Sequence, residues 1–168
     1  MPNTIHPAAL LQITPDTTPA DIAARIQAHQ AALKTTADAV DAANKRTLFA
    51  ALTDAGIATI TVTYDGYGDE GTMEPPEALD ADGTSVAIPA VEIEVQSTDC
   101  DALTVHVSRQ PLVDALESVT YDLLEARHSG WENGDGASGA FTIDVGKQSI
   151  HLLHRDHYIA HDISEYEC

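Results

Sequence analysis

Basic side chains are the scarcest feature of this 168-residue chain. Eight lysines and arginines stand against 27 aspartates and glutamates, which gives a formal net charge of -19. Residues 1–50 are neutral, whereas residues 47–108 hold 12 acids and no lysine or arginine. A surface of this sign repels nucleic-acid phosphates and anionic membranes and attracts basic partners. The sequence therefore predicts no direct binding to nucleic acid or to membranes.

Cysteines and long apolar runs are also lacking. The two cysteines, Cys100 and Cys168, do not make a disulfide framework. No apolar run approaches the roughly 20 residues that a membrane-spanning helix needs. The first residues lack the basic stretch and apolar core of a secretory signal. Together these absences predict a cytoplasmic protein.

The acidic charge has three interpretations that the sequence alone leaves open. It provides solubility or adaptation to a salty cytoplasm, it forms a docking face for a basic protein, or it binds multivalent cations. In one version of the second interpretation, the docking face mimics a phosphate backbone. Each interpretation implies a different distribution of acids in space, so the fold decides between them.

Changes in composition divide the chain into three parts. Residues 1–17 contain three prolines and predict a loose tail or a strand-like arm. Residues 18–56 predict a helical segment, and residues 57–168 predict an acidic α+β domain that carries nearly all of the imbalance in charge.

The helical segment has clear start and stop signals. Thr18 is a good N-cap, Pro19 suits the first helical position, and Asp21 lies in the favourable first turn. Gly56 is a credible residue to end it. The β-branched pair at residues 35–36 lowers helix propensity, so we favour two helices over one long bent helix.

The rest of the chain alternates like a sheet around one helix. Strands are predicted at residues 57–64, 72–74, 86–88, 91–95, 102–107, 141–145, 150–152 and 158–163, with an acidic surface loop at 77–85. The clearest helix covers about 110–127, with Ser108 as its cap and Pro111 in its first turn. Its apolar stripe is Leu112, Ala115, Leu116, Val119, Leu123 and Ala126. The order of elements predicts an α+β fold: an N-terminal helix or helical hairpin, then a mainly antiparallel sheet packed by that long amphipathic helix.

Two polar glycine-rich loops, residues 65–71 and 129–139, are the candidate site. Their side chains of interest are Asp65, Asp69, Glu70, Tyr67, Trp131, Glu132, Asn133 and Asp135. If the loops meet, their oxygens suit Ca²⁺ or Mg²⁺, although neither loop has EF-hand or P-loop spacing. Turn chemistry alone also explains such residues. The only tryptophan, Trp131, either plugs its loop onto the core, with Glu132 and Asn133 bonding loop amides, or offers a stacking surface.

The histidines and the possible nucleophiles form no pattern typical of a metal site or a catalytic site. His151, His154 and His157 have three-residue spacing, which gathers side chains on a helix but not on the strand predicted there. No nucleophile–base motif is present. We therefore predict no catalytic residue, no metal site and no cofactor, and an enzyme is the less favoured class.

The two loops and their flanking elements resemble an uncharacterised bacterial family. The resemblance lies in Asp-Gly-Tyr-Gly-Asp at 65–69, in Leu-Glu-Ala-Arg-His-Ser-Gly-Trp-Glu-Asn-Gly-Asp-Gly at 124–136, and in the strand that follows, and it covers about residues 45–165. This domain of unknown function occurs largely among accessory genes of plasmids and integrative elements. The resemblance implies no activity or catalytic residue. It does imply a context in which small acidic anti-restriction and anti-CRISPR proteins are common.

These observations predict a small acidic binding protein that docks on a basic partner. Its sharpest form is a mobile-element inhibitor of a nucleic-acid-binding host defence, with nucleic-acid mimicry as one route. The predicted docking face comprises Asp69, Glu70, Glu74, Glu92, Glu94, Asp114, Glu117 and Glu125. The alternative is a metal-dependent enzyme or Ca²⁺-binding module built from the loops at 65–71 and 129–139.

Overall fold

A computed structural model describes residues 18–98 and 103–167 of the chain. The predicted arm at residues 1–17 lies outside this described part. The elements, in chain order, are α1 (Pro19–Asp54), β1 (Thr59–Tyr67), β2 (Glu70–Met73), β3 (Glu77–Leu79), β4 (Ser85–Val86), β5 (Glu92–Thr98), β6 (Val105–Pro111), α2 (Leu112–Arg127), β7 (Ala137–Asp144) and β8 (Ser149–Asp156). The fold is α+β, as predicted. Across the described ranges, no helix combines the length and the apolarity needed to cross a bilayer.

The chain forms two compact units. The smaller contains residues 1–47 and 94–110, and the larger contains residues 48–93 and 111–168. Helix α1 and the two-stranded sheet of β5 and β6 each contribute residues to both units.

Helix α1 is one continuous helix, so the favoured interpretation of two helices is wrong. The hydroxyls of Thr35 and Thr36 donate to the carbonyls of Ala31 and Ala32, which are 2.8 and 3.0 Å away. This bonding back into the preceding turn lets the two threonines remain helical despite their low propensity.

The predicted ends of α1 are confirmed. The Asp21 amide donates to Thr18 Oγ1 (3.2 Å), and the Thr18 amide donates to the Asp21 carboxylate (3.0 Å). This reciprocal pair is a capping box with aspartate in place of glutamate. It also lowers the pKa of Asp21, chiefly through the hydrogen bonds from Thr18. At the other end, Ile57 N–H donates to Leu52 O and Gly56 N–H to Thr53 O, the double bond of a Schellman motif.

The smaller unit joins α1 to β5 through one buried side chain. Asn44 Nδ2 donates to the carbonyl of Gln96 (2.8 Å), and the Gln96 amide donates to Asn44 Oδ1 (2.7 Å). The side-chain amide thus offers β5 the donor and acceptor that a neighbouring strand would supply. Strand β6 is largely exposed, with Val107 58% accessible.

The larger unit contains a six-stranded sheet in which β1 is central. The order is β4-β3-β1-β7-β8, with β2 also paired to β1, and these five pairings are antiparallel. Strands β3 and β4 form a small hairpin where an acidic loop at residues 77–85 was expected, because Ala78 is buried beside β1. The predicted strand at residues 158–163 is absent from the described segment: the chain there is exposed, and β8 is the edge strand.

Helix α2 and the inner face of the sheet supply the core of the larger unit. Its buried residues are Leu112, Ala115, Leu116, Val119, Thr120 and Leu124. Thr120 and Leu124 were not predicted, whereas Ala126 is exposed. Pro111 occupies the N-cap position without a side-chain cap, so the expected Ser108 cap is wrong. The facing residues of the sheet include Ile60, Val62, Phe141 and Ile143, all essentially inaccessible.

We expect Asn44→Ala to loosen the smaller unit locally. The substitution leaves the amide and carbonyl of Gln96 without partners, at a cost of about 1–3 kcal/mol. Hydrogen exchange measures this directly, because the Gln96 amide should exchange faster in the variant. Gln30→Ala, at an exposed position of the same helix, is the matched control. Equal exchange of the Gln96 amide in both variants would contradict this role of Asn44.

Candidate functional site

A row of three residues crosses the inner face of the sheet at the end where the two glycine-rich loops lie. The strand register places Tyr64 of β1 beside Gly139 of β7, and Gly139 beside His154 of β8. Tyr64 reaches across the glycine, and its hydroxyl lies 2.6 Å from His154 Nδ1. A Cβ on Gly139 would collide with the Tyr64 phenol (2.6 Å from Cζ), so a glycine here makes the contact possible.

The row continues as a short hydrogen-bonded chain. His154 Nε2 lies 3.1 Å from the Asp156 carboxylate, and the His154 ring stacks on that of His128 with centroids 3.6 Å apart. His128 is the C-cap of α2, so this stack ties the end of the helix to β8. The expected series of His151, His154 and His157 is divided by the strand: His151 is exposed, and only His154 is turned inward.

Tyr64 keeps its proton across the physiological range of pH. Burial is the main cause that raises its pKa to about 12, the negative charge of Asp156 raises it further, and Arg155 acts in the opposite direction. The ring is 2% exposed. The Tyr64–His154–Asp156 chain links β1 to β8 at this end of the sheet.

The two glycine-rich loops meet. The amide of Gly68 donates to the carbonyl of Gly134, and the amide of Asp69 donates to the carbonyl of Glu132, both at 3.1 Å. These bonds are between backbone groups, so they fix the path of both loops and leave the side chains available.

Trp131 is the plug beneath this junction. It is 5% exposed and packs edge-on against Tyr64, with ring centroids 5.3 Å apart and planes at 77°. Its indole lies against the hairpin of β1 and β2: a Cβ on Gly66 would come within 2.9 Å of Cε3, and one on Gly71 within 2.8 Å of Cζ2. The two glycines are cross-strand partners, so together they form a side-chain-free surface on which the indole rests.

The side chains expected to bond the loop amides do not do so. It is the backbone carbonyl of Glu132 that accepts from the hairpin, and the amide of Asn133 donates to Gly130 O within its own turn. Glu132 Oε2 and Trp131 Nε1 are buried without a hydrogen-bond partner in the described part of the chain. Two unpaired polar atoms on adjacent residues make this the least satisfied part of the junction.

The junction gathers carboxylates at one end of the sheet, which we call the loop end. It is formed by the tip of the β1–β2 hairpin, the α2–β7 loop and the end of β8. Its acids are Asp65, Asp69, Glu70, Glu132, Asp135 and Asp156. Asp135 accepts from the amide of Ile159 (3.1 Å), which holds the segment after β8 against the loop. Tyr67 is 70% exposed on the hairpin.

The other acids of the predicted docking face lie on several elements. Glu74 follows β2, Glu92 and Glu94 lie on β5, and Asp114, Glu117 and Glu125 lie on α2. All are exposed except Glu117 and Glu125, which are half-buried. Of the eight predicted residues, only Asp69 and Glu70 belong to the loop end.

The loop carboxylates do not converge on one point. In residues 18–98 and 103–167, no group of three or more histidine, cysteine, aspartate or glutamate side chains is arranged to hold a metal ion. The alternative of a cation-binding module therefore gains no support from the geometry of the described residues.

The Tyr64 row was not predicted from the sequence. Tyr64 was placed on the buried face of its strand, but its partners are about 75 to 90 residues away in the chain. The available signal was Gly139, a glycine inside an alternating strand, which often marks a close approach of another group. Without the register of three strands, that signal does not identify the partner.

Gly71→Ala should destabilise the larger unit and loosen Trp131. The added methyl group collides with the indole, and overpacking of this kind costs about 1–3 kcal/mol. Urea unfolding monitored by tryptophan fluorescence measures the loss. Gly146→Ala is the control, because its Cβ meets only ordinary contacts and neither glycine has a positive φ. Equal midpoints for the two variants would show that the indole does not rest on Gly71.

The stability contributed by Tyr64 should depend on pH in the alkaline range. Its pKa is about 12 in the folded protein against an ordinary value of 10.0, so folding favours the protonated phenol. That contribution is complete below pH 10 and is lost as the pH rises towards 12. Tyr64→Phe should lower the free energy of unfolding by about 0.5–2 kcal/mol at pH 8, because the bond to His154 is lost. The difference from wild type should shrink between pH 10 and 12, whereas a constant difference in urea midpoints would contradict the assignment.

Comparison with known proteins gives one match. A model of a family of unknown function (DUF6878) matches residues 40–168. No curated protein and no solved structure matches the chain significantly. The matched range contains both loops, the Tyr64 row and the whole sheet, and it leaves out the first half of α1. The chain belongs to this family of unknown function, DUF6878, through its residues 40–168.

Proposed function

We propose that the protein binds a basic protein partner through the loop end. The observation that carries this proposal is the pair of backbone hydrogen bonds between the loops, Gly68 to Gly134 and Asp69 to Glu132. They bring the acids of the hairpin and of the α2–β7 loop to one end of the sheet, where the pairing of β7 with β8 adds Asp156 and the basic side chain of Arg155. Charge of one sign at one place attracts and orients a partner of the opposite sign.

The acids of the hairpin are available to a partner. Asp65, Asp69 and Glu70 are exposed, and none makes an ion pair with another residue in the described ranges. Ion pairs formed across an interface at these positions would not have to replace existing ones. The exposed ring of Tyr67 adds an aromatic surface beside them, and aromatic residues are enriched in protein interfaces.

The loop end is also held in a fixed shape. Trp131, the glycine surface beneath it and the Tyr64 row restrict both loops before any partner arrives. Binding then orders few additional residues, and this lowers the entropic cost of association. A rigid acidic end suits recognition of a defined basic groove better than a flexible acidic tail does.

In the more specific version of this proposal, the partner is a nucleic-acid-binding effector of a host defence system, and the protein is its inhibitor. Such an effector carries a basic groove for phosphates, and a rigid array of carboxylates competes for that groove. The mobile-element context implied by the sequence resemblance motivates this form. Inhibition by competition should be relieved by added nucleic acid.

The test measures binding to purified restriction endonucleases and RNA-guided nucleases, with nuclease activity assayed in parallel. Neutralising the hairpin acids with Asp65→Asn, Asp69→Asn and Glu70→Gln should weaken a complex about tenfold or more, since three interfacial charges are lost. Asparagine tolerates the positive φ of 75° at Asp69, so the hairpin keeps its shape.

The matched control removes the same charge elsewhere. Asp41→Asn, Asp54→Asn and Asp82→Asn neutralise three exposed acids outside the loop end and should leave affinity nearly unchanged. Equal weakening by both triple variants would show that net charge alone drives binding. No complex with any of these effectors, even at low salt, would sink the inhibitor proposal.

A further inference from the structure

We propose that β8 and the segment after it, residues 157–167, pair with the same stretch of a second copy of the chain as an antiparallel two-stranded ribbon. Each copy then lays its segment after β8 along the open edge of the other copy's β8, and the two sheets become one. The proposal uses no acid of the β1–β2 hairpin, so it is independent of the proposed function.

Strand β8 is a long and regular edge strand. It pairs with β7 without a bulge, from Asp156 opposite Ala137 to Ser149 opposite Asp144. It contains neither proline nor glycine, and no strand among the described residues pairs with its other side. Proteins usually shorten, twist or cover such an edge, because its free N–H and C=O groups recruit another strand.

The register shows which backbone groups face the open edge. The amide of His157 donates to the carbonyl of Gly136, and this pair continues the ladder of β7 and β8. Because bonding residues alternate along an antiparallel strand, the odd-numbered residues of β8 bond to β7. The backbone groups that point to the open side are therefore those of Ile150, Leu152, His154 and Asp156.

The segment after β8 has the composition of a strand but no neighbour. Residues 158–163 were predicted as a strand, and the described chain there is exposed. Tyr158, Ile163 and Tyr166 are 83, 85 and 86% exposed. Large apolar and aromatic side chains that are exposed together in one short segment are typical of an interaction site.

The beginning of this segment continues along the line of β8. The ring of His157 lies 2.9 Å from the Ser138 hydroxyl on β7, and the amide of Ile159 donates to the Asp135 carboxylate (3.1 Å). These contacts direct the chain away from the open side of its own β8. One continuous stretch, residues 149–167, thus contains both an open edge and an unpaired continuation.

A second copy is the partner that satisfies both parts at once. When residues 149–167 pair with themselves about a two-fold axis at Tyr158, β8 of each copy lies opposite residues 160–167 of the other. Even-numbered residues then face even-numbered residues, which matches the backbone groups that β8 leaves open. Such self-complementary pairing about a two-fold axis is the commonest arrangement of dimers.

The side chains that meet in this register are complementary. Ile163 lies opposite Leu153, which is 43% exposed on the edge strand. Glu165 lies opposite the exposed imidazole of His151. No acid lies directly opposite another acid, although the chain as a whole is strongly acidic. Apolar and oppositely charged cross-strand pairs both stabilise a sheet.

The distribution of charge favours the antiparallel orientation. Residues 145–155 contain two basic residues and no acid, whereas residues 157–167 contain three acids and no lysine or arginine. Of the two basic side chains, Lys147 already forms an ion pair with Asp144, and Arg155 is exposed. An antiparallel pair places the basic half of one strand beside the acidic half of the other, whereas a parallel pair places like beside like.

Disulfide capture tests the proposal and identifies what covers the edge. Leu153→Cys and Ile163→Cys are introduced together into a chain that also carries Cys100→Ser and Cys168→Ser. In the proposed register these two positions form a non-hydrogen-bonded pair, whose Cα atoms lie about 4.5 Å apart, a distance that suits a disulfide. Mild oxidation of the folded protein should therefore give a disulfide-linked dimer.

The control moves one cysteine two strands away in the same row of the sheet. Thr63→Cys with Ile163→Cys should give no linked dimer, because Thr63 is exposed on β1 but does not lie on the open edge. Equal linkage in both variants would overturn the proposal. A disulfide within a single chain would also overturn it, since the segment would then cover its own β8. So would free thiols in a monomer.

Proline substitutions test the hydrogen bonds of the ribbon. Ser164→Pro removes an amide that faces Leu152 of the other copy, and it should raise the dissociation constant of the dimer about tenfold or more. His161→Pro removes an amide that faces away and should have a much smaller effect. Both positions are exposed in the single chain, so folding should not change. Sedimentation equilibrium measures the dimer. Equal constants for the two variants, or a wild-type chain that is monomeric at every concentration, would contradict the pairing.

Discussion

The packing of Trp131 on bare backbone is the contact on which the loop end depends. The indole can reach Tyr64 only because Gly66 and Gly71 present no side chains to it. With the indole in place, the loop that carries it lies close enough for its carbonyls to accept from the hairpin amides. The acidic surface of the loop end therefore depends on the apolar contact of Trp131 with the hairpin. Dispersion and burial of the indole ring hold the loops in place, and the loops carry the acids. The charges themselves contribute little to holding the ring.

Structural features that depend on residues close in sequence could be predicted from local rules. The capping box at Thr18, the glycine that ends α1 and the alternation along β1 and β7 are all of this kind. The predicted break at Thr35 is absent because the hydroxyls of Thr35 and Thr36 donate hydrogen bonds to carbonyls of the preceding turn. An average helix propensity does not include this hydrogen bond. The strand expected at residues 158–163 failed for another reason. Alternation predicts the shape of a strand but does not supply a neighbour to pair with.

The candidate site depended on information that one sequence does not contain. Both loops were singled out from glycines and acids, yet whether they meet is decided by strand register, since β1 and β7 pair residues more than 70 positions apart. His154 shows the same limit: its ring is one of four late histidines in the sequence, and only the register places it beside Tyr64 and His128. The sequence showed the chemical character of these side chains, but it did not show which of them lie together in the fold.

The pairing of β1 with β7 also has a consequence for how the chain reaches its native state. Strands β7 and β8 are joined by a turn at residues 145–148, so they can pair early in folding. Strand β1 is separated from β7 by a long stretch of chain that includes α2, so these two strands can pair only later. Contacts this distant in sequence slow folding, because the intervening chain must be ordered before they form. Until then, the long central strand presents apolar residues on an unpaired edge, a state prone to aggregation. The net charge of -19 on the same chain opposes the association of such incomplete molecules.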